Sequence, residues 1–336
     1  MSDIIILSHG DGGILTHNLV NDIFLKYFKN PYLIQLTDSV FLNFPGEGKG
    51  IVVSTDSFVV SPIFFPGGDI GKLAVCGTVN DLAVSGARPL FLTVGFILEE
   101  GLLLSELEEV VVSMARTAEE AGVVIVAGDT KVVEKGHGDK IFINTTGIGT
   151  SEEEAVLGYE AVKPGDKIVI NGTLGDHGLT VLTRRQELGL GEGLQSDCAP
   201  LNGIIQKALK EIKGIKIMRD PTRGGLATTL KEIAVFSRLD FTIFEEQVPV
   251  AEEVRSTAEM LGLDPLYLAN EGKFITIVES AQADALVQLL REDPLGKEAQ
   301  IIGKVEDGSG KVYLKTFFGG TKYLHYLAGT PLPRIC

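Results

Sequence analysis

Cysteine is scarce in this chain of 336 residues, and the three cysteines present form no metal-binding motif. Cys76, Cys198 and Cys336 are far apart, so no C-x-x-C pair predicts a zinc or iron–sulfur site. An odd, small number of cysteines is typical of proteins from reducing compartments. Cys76 lies in an apolar helical stretch, where cysteine packs as a small hydrophobe, and Cys198 has no positive sequence neighbour that would favour its thiolate. Cys336 is therefore the candidate reactive thiol.

Positive charge is also in short supply. Lys and Arg number 30 against 45 Asp and Glu, a net charge of -15, which argues against a nucleic-acid surface. No apolar run approaches the roughly 18 residues that a membrane helix needs, and the first residues lack the pattern of a signal peptide. We therefore expect a cytoplasmic protein with no nucleic-acid or membrane partner.

The order of elements predicts an α/β or α+β fold in two units of similar size, because both halves mix strands, helices and acidic turns. The first half contains a helix over 15–28, a helix over 72–83 and a helix over 105–121 that a Ser105–Glu108 capping box would start. A buried strand over 123–127 is predicted to end in the loop 128–131. The other predicted strands are 51–57, 90–98, 141–150, 167–171, 241–244, 274–278, 301–305 and 312–316, and the other predicted helices end at 188, 261 and 291.

The last residues of the sequence predict an extended tail that carries the thiol of Cys336. Pro331 and Pro333 fix φ and cannot donate to a sheet, so this segment is hard to absorb into the fold. A frayed end with an incidental cysteine explains the same residues. Phosphate-binding features elsewhere in the chain favour a functional tail, because a mobile nucleophile and a phosphate site would then occur in one protein.

One such feature is the glycine-rich run from His9 to Gly13, directly before a predicted helix. Backbone amides in such a loop can approach phosphate oxygens, with a helix N-terminus adding favourable potential. An ordinary surface turn accounts for the run equally well. The segment Arg219–Gly225 is predicted to begin another helix, with Pro221 in its first turn.

Asp56, Asp81 and Asp129 each follow or end an apolar element. Three converging carboxylates would repel one another unless divalent cations held them, and Mg²⁺ bound to a triphosphate is the natural occupant. Taken singly, each aspartate is equally a turn or cap residue. The set predicts a magnesium nucleotide site.

The ordered motifs resemble the HypE family, the carbamoyl dehydratases of [NiFe]-hydrogenase maturation, within the aminoimidazole ribonucleotide (AIR) synthetase and selenophosphate synthetase superfamily. The likeness runs from His9 to Cys336. The motifs are His-Gly-x-Gly-Gly from 9, Ser-Thr-Asp-Ser from 54, Phe-Phe-Pro-Gly-Gly-x-Ile-Gly-Lys from 64, Asn-Asp-x-Ala-x-Ser-Gly-Ala from 80, Gly-Asp-Thr-Lys from 128, Gly-Thr-x-Gly-Asp-His-Gly from 172, Asp-x-Thr-Arg-Gly-Gly from 220, Asn-Glu-Gly-Lys from 270 and Pro-Arg-Ile-Cys from 333.

The resemblance implies a two-domain PurM-like (AIR synthetase-like) α/β fold that forms a homodimer through its N-terminal domain. Residues 1–40 would be a glycine-rich segment covering the ATP site, and 41–155 the ATP-binding and dimerisation domain. Residues 160–325 would form the C-terminal domain, and 326–336 a mobile tail carrying Cys336.

The resemblance also implies the activity and the partners. The carbamoyltransferase HypF would place a carbamoyl group on Cys336, and the enzyme would use ATP and Mg²⁺ to dehydrate it to a thiocyanate. The cyanide would then pass to iron on a HypC–HypD complex.

Roles for individual residues follow from the same resemblance. Lys131, Asn270 and Glu271 would serve catalysis with Cys336, Asn270 by a hydrogen bond to the carbamoyl NH₂ and Glu271 as the base. Asp56, Asp81 and Asp129 would hold metal, and His177 is a further candidate for phosphate contact. The residues expected to bind ATP are His9, Gly12, Gly13, Lys72, Asn80, Asp129, Thr130, Asp220 and Arg223. Asp11 and Pro221 depart from the family pattern, where Ser and Ala are familiar; Asp11 adds negative charge beside the proposed phosphate loop.

Two other functions fit parts of this pattern. A selenophosphate synthetase would need a reactive cysteine or selenocysteine and a lysine in the first loop, and none lies between His9 and Gly13. A non-catalytic maturation scaffold would use Cys336 only to carry iron or a partner. ATP turnover that depends on carbamoylated Cys336 would separate enzyme from scaffold.

Overall fold

The computed structural model describes residues 13–28, 34, 36–37, 39–42, 50–151, 157–186, 190–191, 193–327 and 334–336. His9, Gly12, Pro331 and Pro333, and most of the segment 1–40, lie outside these ranges. In the described part of the chain, no helix has the length and apolar character needed to cross a bilayer. The predicted α/β architecture is confirmed, because helices and two large sheets share the chain.

The first half is a five-stranded sheet covered by two helices. The strands are β1 Val40–Leu42, β2 Gly50–Phe58, β5 Arg88–Glu99, β6 Val124–Val133 and β7 Ile141–Ser151, in the order β1-β2-β7-β5-β6. A small hairpin pairs β3 Phe64–Phe65 with β4 Gly68–Asp69. The two covering helices are α3 Ile70–Val84 and α4 Leu104–Ala121. Ahead of the sheet in the chain are α1 Ile14–Leu19, a π-helical turn Val20–Phe24 and α2 Leu25–Phe28.

The second half is a seven-stranded sheet in the order β14-β13-β10-β12-β8-β11-β9. Its strands are β8 Lys167–Ile170, β9 Ile215–Arg219, β10 Asp240–Phe244, β11 Ile275–Val278, β12 Gln300–Glu306, β13 Val312–Lys315 and β14 Thr321–Leu324. Its helices are α5 Asp176–Arg185, α6 Asn202–Glu211, α7 Gly225–Ser237, α8 Glu252–Leu261 and α9 Ala283–Arg291.

Helix α3 joins the two halves. It is apolar on nearly every side, as expected for a helix enclosed by other elements, and it packs on α4, β2 and β7 of the first half and on α6 of the second. Asp69 caps its N-terminus by accepting from the backbone of Gly71 and Lys72 at 2.7 and 3.1 Å. Because α3 touches both halves, residues along it can serve a site between them.

Several local predictions were wrong. Helix α4 begins at Leu104 after Leu103, with no side-chain cap, so the Ser105–Glu108 capping box does not form. Helix α7 begins at Gly225, which leaves Pro221 in the preceding loop rather than in the first helical turn. Helix α6 and strands β9 and β14 were missed, because short strands and one amphipathic helix leave a weak periodic signal.

Strand β6 differs most from its prediction. The valine-rich stretch is an exposed strand rather than a buried one, because among the described residues it pairs only with β5. It also runs on to Val133, so Asp129, Thr130 and Lys131 lie in the middle of a strand and not in a loop at its end. A short run of β-branched residues cannot by itself distinguish an edge strand from a central one.

Candidate functional site

The last three residues lie against the first half as an added strand. The amide of Val59 donates to the carbonyl of Cys336 at 3.0 Å, and the amide of Ser61 donates to the carbonyl of Arg334 at 3.4 Å. These two bonds have the antiparallel pattern of a sheet ladder. Ile335 is 3% exposed and joins the hydrophobic core of the first half. The end of the chain is therefore docked, with Cys336 brought into the interior.

Charged residues from distant parts of the sequence surround the docked thiol. The groups that act electrostatically on Cys336 are Arg223, Glu271, Asp56 and Asp220. Asp56 lies on β2, Asp220 and Arg223 lie in the loop before α7, and Glu271 lies in the loop before β11. The structure thus brings together five of the residues predicted to form the site.

The docked thiol is held in its neutral form. Burial is the main cause that raises the pKa of Cys336 to about 12, which makes the thiol a weaker acid than usual; Arg223 opposes this shift and Glu271 adds to it. A thiol with this pKa is almost wholly protonated at neutral pH and is a weak nucleophile. The docked position therefore suits a group already attached to sulfur better than the attack that attaches it.

Glu271 is a buried carboxyl group with an unusually high proton affinity. It is 4% exposed, and its Oε1 has no hydrogen-bond partner within the described part of the chain. Burial, first, and the neighbouring Cys198 and Asp220 raise its pKa well above the ordinary value. A carboxylate in such a place is a strong proton acceptor, as general-base catalysis requires.

Asp197 holds the loop that carries Glu271. Its carboxylate accepts from the amides of Glu271 and Gly272 at 3.1 and 3.0 Å and from Nζ of Lys273 at 3.0 Å. Burial opposes these contacts, yet the attraction of Lys273 and the hydrogen bonds leave the pKa of Asp197 below its usual value. An ionised Asp197 therefore fixes the backbone on both sides of Glu271.

Close packing in this loop gives a stability prediction. A Cβ at Gly272 would lie 1.8 Å from the carbonyl oxygen of Asp197, closer than any atoms can approach. We expect Gly272→Ala to destabilise the protein by about 3 kcal/mol, at the upper end of the usual cost of overpacking, and to lower the midpoint of thermal unfolding measured by circular dichroism. Gly203→Ala is the matched control, because a Cβ there meets nothing within 4 Å. Equal midpoints for the two variants would contradict the close approach.

Asn80 and Asn270 hold loops of the site by hydrogen bonds to backbone groups. Asn80 donates to the carbonyls of Ala199 and Glu271 at 3.1 and 3.3 Å and accepts from the amide of Leu201 at 2.8 Å. Both side chains are at most 2% exposed, and their amide groups bond to backbone. The contacts of Asn80 with ATP and of Asn270 with the carbamoyl NH₂ stay predictions, and the structure adds a role for each residue in holding loops.

Asn270 ties three segments together. Its Oδ1 accepts from the amide of Gly175 at 2.8 Å, and its Nδ2 donates to the carbonyls of Pro221 and Leu268, both at 3.0 Å. It therefore connects the glycine-rich turn before α5 with the loop that carries Asp220 and Arg223. Both loops approach the tail, so Asn270 keeps the walls of the site in register.

Asp56 and Asp81 face the same region from β2 and α3. Ser54 Oγ donates to Asp81 Oδ2 at 2.7 Å, and a Cβ at Gly77, one helical turn before Asp81, would lie 3.6 Å from Asp56 Oδ2. Burial raises the pKa of Asp56, while Arg223 lowers it. Carboxylate oxygens are the ligands that Mg²⁺ prefers, so Asp56 and Asp81 are the candidate ligands for a divalent cation in this region.

Asp129 does not join the other two aspartates within one chain. It is exposed on β6, opposite Gly95 of β5, and its carboxylate pairs with Nζ of Lys131 at 2.6 Å. The side-chain hydrogen bond from Lys131 is the main cause of its lowered pKa. Among the described residues, no group of three His, Cys, Asp or Glu side chains could hold a metal ion. The predicted convergence of three carboxylates is thus wrong for the described part of a single chain.

The structure also shows where Gly13, Lys72 and His177 lie, three residues that the sequence suggested for contacts with ATP or phosphate. Gly13 precedes α1, and Nζ of Lys72 donates to the carbonyl of Gly67 at 3.0 Å. His177 is fully buried, with Nδ1 2.7 Å from Ser196 Oγ and Nε2 2.9 Å from the carbonyl of Ile335. Both ring nitrogens therefore have partners, and the suggested phosphate contact of His177 gives way to a contact with the tail.

Comparison with known proteins covers almost the whole chain. The family profile for "AIR synthase related protein, N-terminal domain" matches residues 36–151, and that for the C-terminal domain of the same proteins matches 163–315. "Carbamoyl dehydratase HypE" of Cupriavidus necator is 47% identical over 98% of this chain and 94% of its own length.

Solved structures agree with the sequence comparison. A HypE structure in complex with ATP is 49% identical, covers 99% of this chain and 100% of its own, and superposes with a TM-score of 0.83. The HypE–HypF complex contains a chain that is 48% identical, covers 92% of this chain and 99% of its own, and has a TM-score of 0.87. On these matches, the chain belongs to the HypE family of the AIR synthase related proteins.

Proposed function

We propose that this protein is an ATP-dependent carbamoyl dehydratase that acts on its own Cys336. It converts an S-carbamoyl group there to a thiocyanate, which supplies the cyanide ligand for the iron of [NiFe]-hydrogenase. The observation that carries the proposal is the docking of Cys336 among Arg223, Glu271 and Asp56. The names of the relatives and the ATP complex of one of them support it.

The reaction needs a leaving group, because the oxygen of a carbamoyl group departs poorly as hydroxide. In the first step, the carbamoyl oxygen attacks the γ-phosphorus of ATP, ADP leaves, and the nitrogen gives up one proton to form a carbon–nitrogen double bond. In the second step, the carbon–oxygen bond breaks, phosphate leaves, and the nitrogen loses its other proton as the thiocyanate forms. Positioning and neutralisation of charge are the main tasks of the protein in such a transfer.

Glu271 and Arg223 are placed for these tasks. The buried carboxylate of Glu271 is the group that accepts a proton from the carbamoyl nitrogen, and its high pKa makes the transfer favourable. Arg223 supplies positive charge beside the sulfur-bound group, where negative charge builds up on oxygen and phosphate. Asp220 also acts electrostatically on the thiol.

Asp56 and Asp81 would hold Mg²⁺ with the nucleotide. When bound, the ion neutralises phosphate charge and orients the γ-phosphoryl group. Oxygen ligands from carboxylates are those that Mg²⁺ prefers. The roles proposed for Lys72, Gly13, His9, Gly12 and Thr130 in binding ATP, and for Asp129 in binding metal, rest on the family motifs.

The aspartate on α3 offers a test of the metal site. We expect Asp81→Asn to weaken the use of Mg-ATP by at least about tenfold, the usual minimum for loss of a partner at a metal site. Carbamoylation of Cys336 by HypF should be unchanged, because the lost charge is not needed at the thiol. The measurement is the apparent affinity for Mg²⁺ in single-turnover dehydration, with the exposed Asp307→Asn as control. Wild-type magnesium dependence in Asp81→Asn would show that Asp81 serves only to bind Ser54.

Partners and assembly are proposed on the same basis. HypF would load Cys336, as its complex with a relative suggests, and a HypC–HypD complex would receive the cyanide in the cytoplasm. Val124, Val126 and Val132 are more than half exposed on β6, and such an apolar edge is suited to cover by a second copy. We therefore propose a homodimer, with Lys131 on the strand that the partner would cover. The domain limits 41–155 and 160–325, with segments 1–40 and 326–336, belong to this proposal.

The decisive experiment is the intact mass of the purified protein. Incubation with HypF, carbamoyl phosphate and Mg-ATP should add one carbamoyl group and then remove the mass of one water, at Cys336 only. Omission of nucleotide for the second step should leave the carbamoyl form. Persistence of the carbamoyl adduct with Mg-ATP bound would favour the scaffold function instead.

A further inference from the structure

A set of residues outside the proposed reaction centre holds the docked tail. Helix α5 contributes His177 near its start and Arg185 at its end, and the loop that connects β6 to β7 contributes Asp139. All three bond to Arg334 or Ile335 rather than to Cys336.

We propose that His177, Arg185 and Asp139 form a docking site for an extended Arg-Ile-Cys end and thereby position Cys336 for reaction. The proposal rests on the proposed function, since it names the residues that bring the modified sulfur to the reaction centre. The ligand class is an extended peptide that adds to a strand and carries a cation and an aliphatic side chain before its cysteine.

Backbone pairing sets the register of this peptide. The bonds from Val59 to Cys336 and from Ser61 to Arg334 align the tail with the stretch that follows β2. Ile335, between them, fills a place in the core at 3% exposure. A shift of the tail by one residue would remove Ile335 from that place. The pairing register therefore fixes the position of the Cys336 thiol.

His177 fixes the tail through a single defined tautomer. Burial lowers the pKa of its ring, so the imidazole is neutral and has one N–H. The carbonyl of Ile335 can only accept, which assigns the proton to Nε2. Nδ1 then accepts from Ser196 Oγ, which itself accepts from the amide of Cys198 at 3.1 Å. With the tail docked, hydrogen bonds at both nitrogens therefore fix the orientation of the ring.

Arg185 links the tail to the strand beside it. Its Nε donates to the carbonyl of Ser61 at 2.5 Å, and its other guanidinium nitrogen donates to the carbonyl of Arg334. A lysine at this position would keep the charge but could not span both carbonyls in a planar fork. Arg185 therefore binds two backbone carbonyls at once, one from each of the paired segments.

The docking site also recognises the side chain of Arg334. It pairs with Asp139, and its Nε donates to the carbonyl of Val59 at 2.9 Å. Its φ of +54° is in the left-handed region, which is costly for a residue with a Cβ. The contacts of the docking site must offset this cost, so loss of one of them should shift the tail toward release.

Open space lies beside the docking site. A cavity of about 850 Å³ adjoins it and is lined by residues that include Ser61, Asp139, Arg184 and Arg185. Release would also expose the thiol, whose attack on a carbamoyl donor needs the thiolate. The contacts with the tail must therefore form for dehydration of the carbamoyl group and must break for the thiol to be loaded.

The test is the rate at which a bulky maleimide labels Cys336, located by peptide mass spectrometry. In nucleotide-free full-length protein, we expect Arg185→Ala to raise this rate about tenfold, the effect of losing hydrogen bonds from a charged donor. Arg184→Ala is the matched control, because Arg184 is the preceding residue of α5 and lines the same cavity. Single-turnover dehydration should fall in Arg185→Ala by a similar factor, with loading by HypF equal or faster.

Conservative variants keep the test valid if Arg185→Ala folds poorly. Asp139→Asn changes a half-exposed residue of the loop between β6 and β7 and should raise labelling several-fold. His177→Gln, which can place a donor near the position of Nε2, should label more slowly than His177→Ala. Labelling at the wild-type rate in both Arg185→Ala and Asp139→Asn would overturn the docking site. Failure of the wild-type protein to dehydrate carbamoylated Cys336 would overturn the proposed function instead, so the two results are distinguishable.

Discussion

Cys336→Ala should abolish both carbamoylation by HypF and formation of thiocyanate. The other two cysteines cannot replace it, because Cys76 and Cys198 are buried at 0% and 2% exposure. The hydrogen bond with Cys76, first, and burial raise the pKa of Cys198 well above its ordinary value, which makes it still less reactive. Intact mass after incubation with HypF, carbamoyl phosphate and Mg-ATP should show no adduct.

The same variant should retain its fold and its binding of ATP. Cys336 contributes a backbone carbonyl to Val59, and alanine keeps that group. Thermal unfolding and nucleotide titration should therefore match the wild type. Cys198→Ala is the control and should still be carbamoylated at Cys336. An adduct on Cys336→Ala would show that another residue carries the group and would remove the basis of the proposed function.

Glu271→Gln should slow dehydration by about 10² to 10⁴, the range that general-base catalysis contributes. Glutamine keeps the size of the side chain and loses its basicity. ATP binding and loading of Cys336 should persist, because Asp197 holds this loop through its backbone amides. The measurement is the single-turnover rate from the carbamoyl form. A rate equal to that of the wild type would place the base elsewhere.

The pH dependence of stability provides an independent check on Glu271. Its pKa is higher in the folded state than in the unfolded state, so its favourable contribution is present at low pH and is lost as pH rises through the folded pKa. Glu271→Gln has no such titration. The variant should gain stability relative to the wild type as pH increases from acidic to alkaline values. If the difference in unfolding midpoint between the wild type and Glu271→Gln were the same at every pH, Glu271 would not be a buried carboxyl group with a raised pKa.

Local pattern was sufficient for most of the fold. Helix α3 and strands β2, β5 and β7 lie close to their predicted ranges, because long periodic segments carry their own signal. The exposure of β6 could not be predicted in this way, since it depends on whether a further strand lies alongside. Helix α7 starts four residues later than the motif with Pro221 indicated, after Gly224 takes a φ of +78°.

Residue types and motif order were sufficient to suggest a function, but they could not predict the hydrogen bonds within the site. The sequence identified Cys336, Arg223 and Glu271 as candidates, and these do lie together. It could not show that the side chains of Asn80 and Asn270 are taken up by backbone groups. Whether a polar side chain is free for a ligand depends on its neighbours in space, and those come from distant segments.

The residues of the docking site show where sequence reasoning stops. Arg185 and Asp139 stand in no motif, and their partner Arg334 lies 149 and 195 positions away along the chain. By itself, the sequence determined the fold class and the family, because composition, periodicity and motif order can be followed along the chain. Only the tertiary structure decided that Asp129 is exposed on β6 while Asp56 is not, and that α5 and the loop between β6 and β7 contact the tail, because side-chain contacts across the fold depend on how the elements pack.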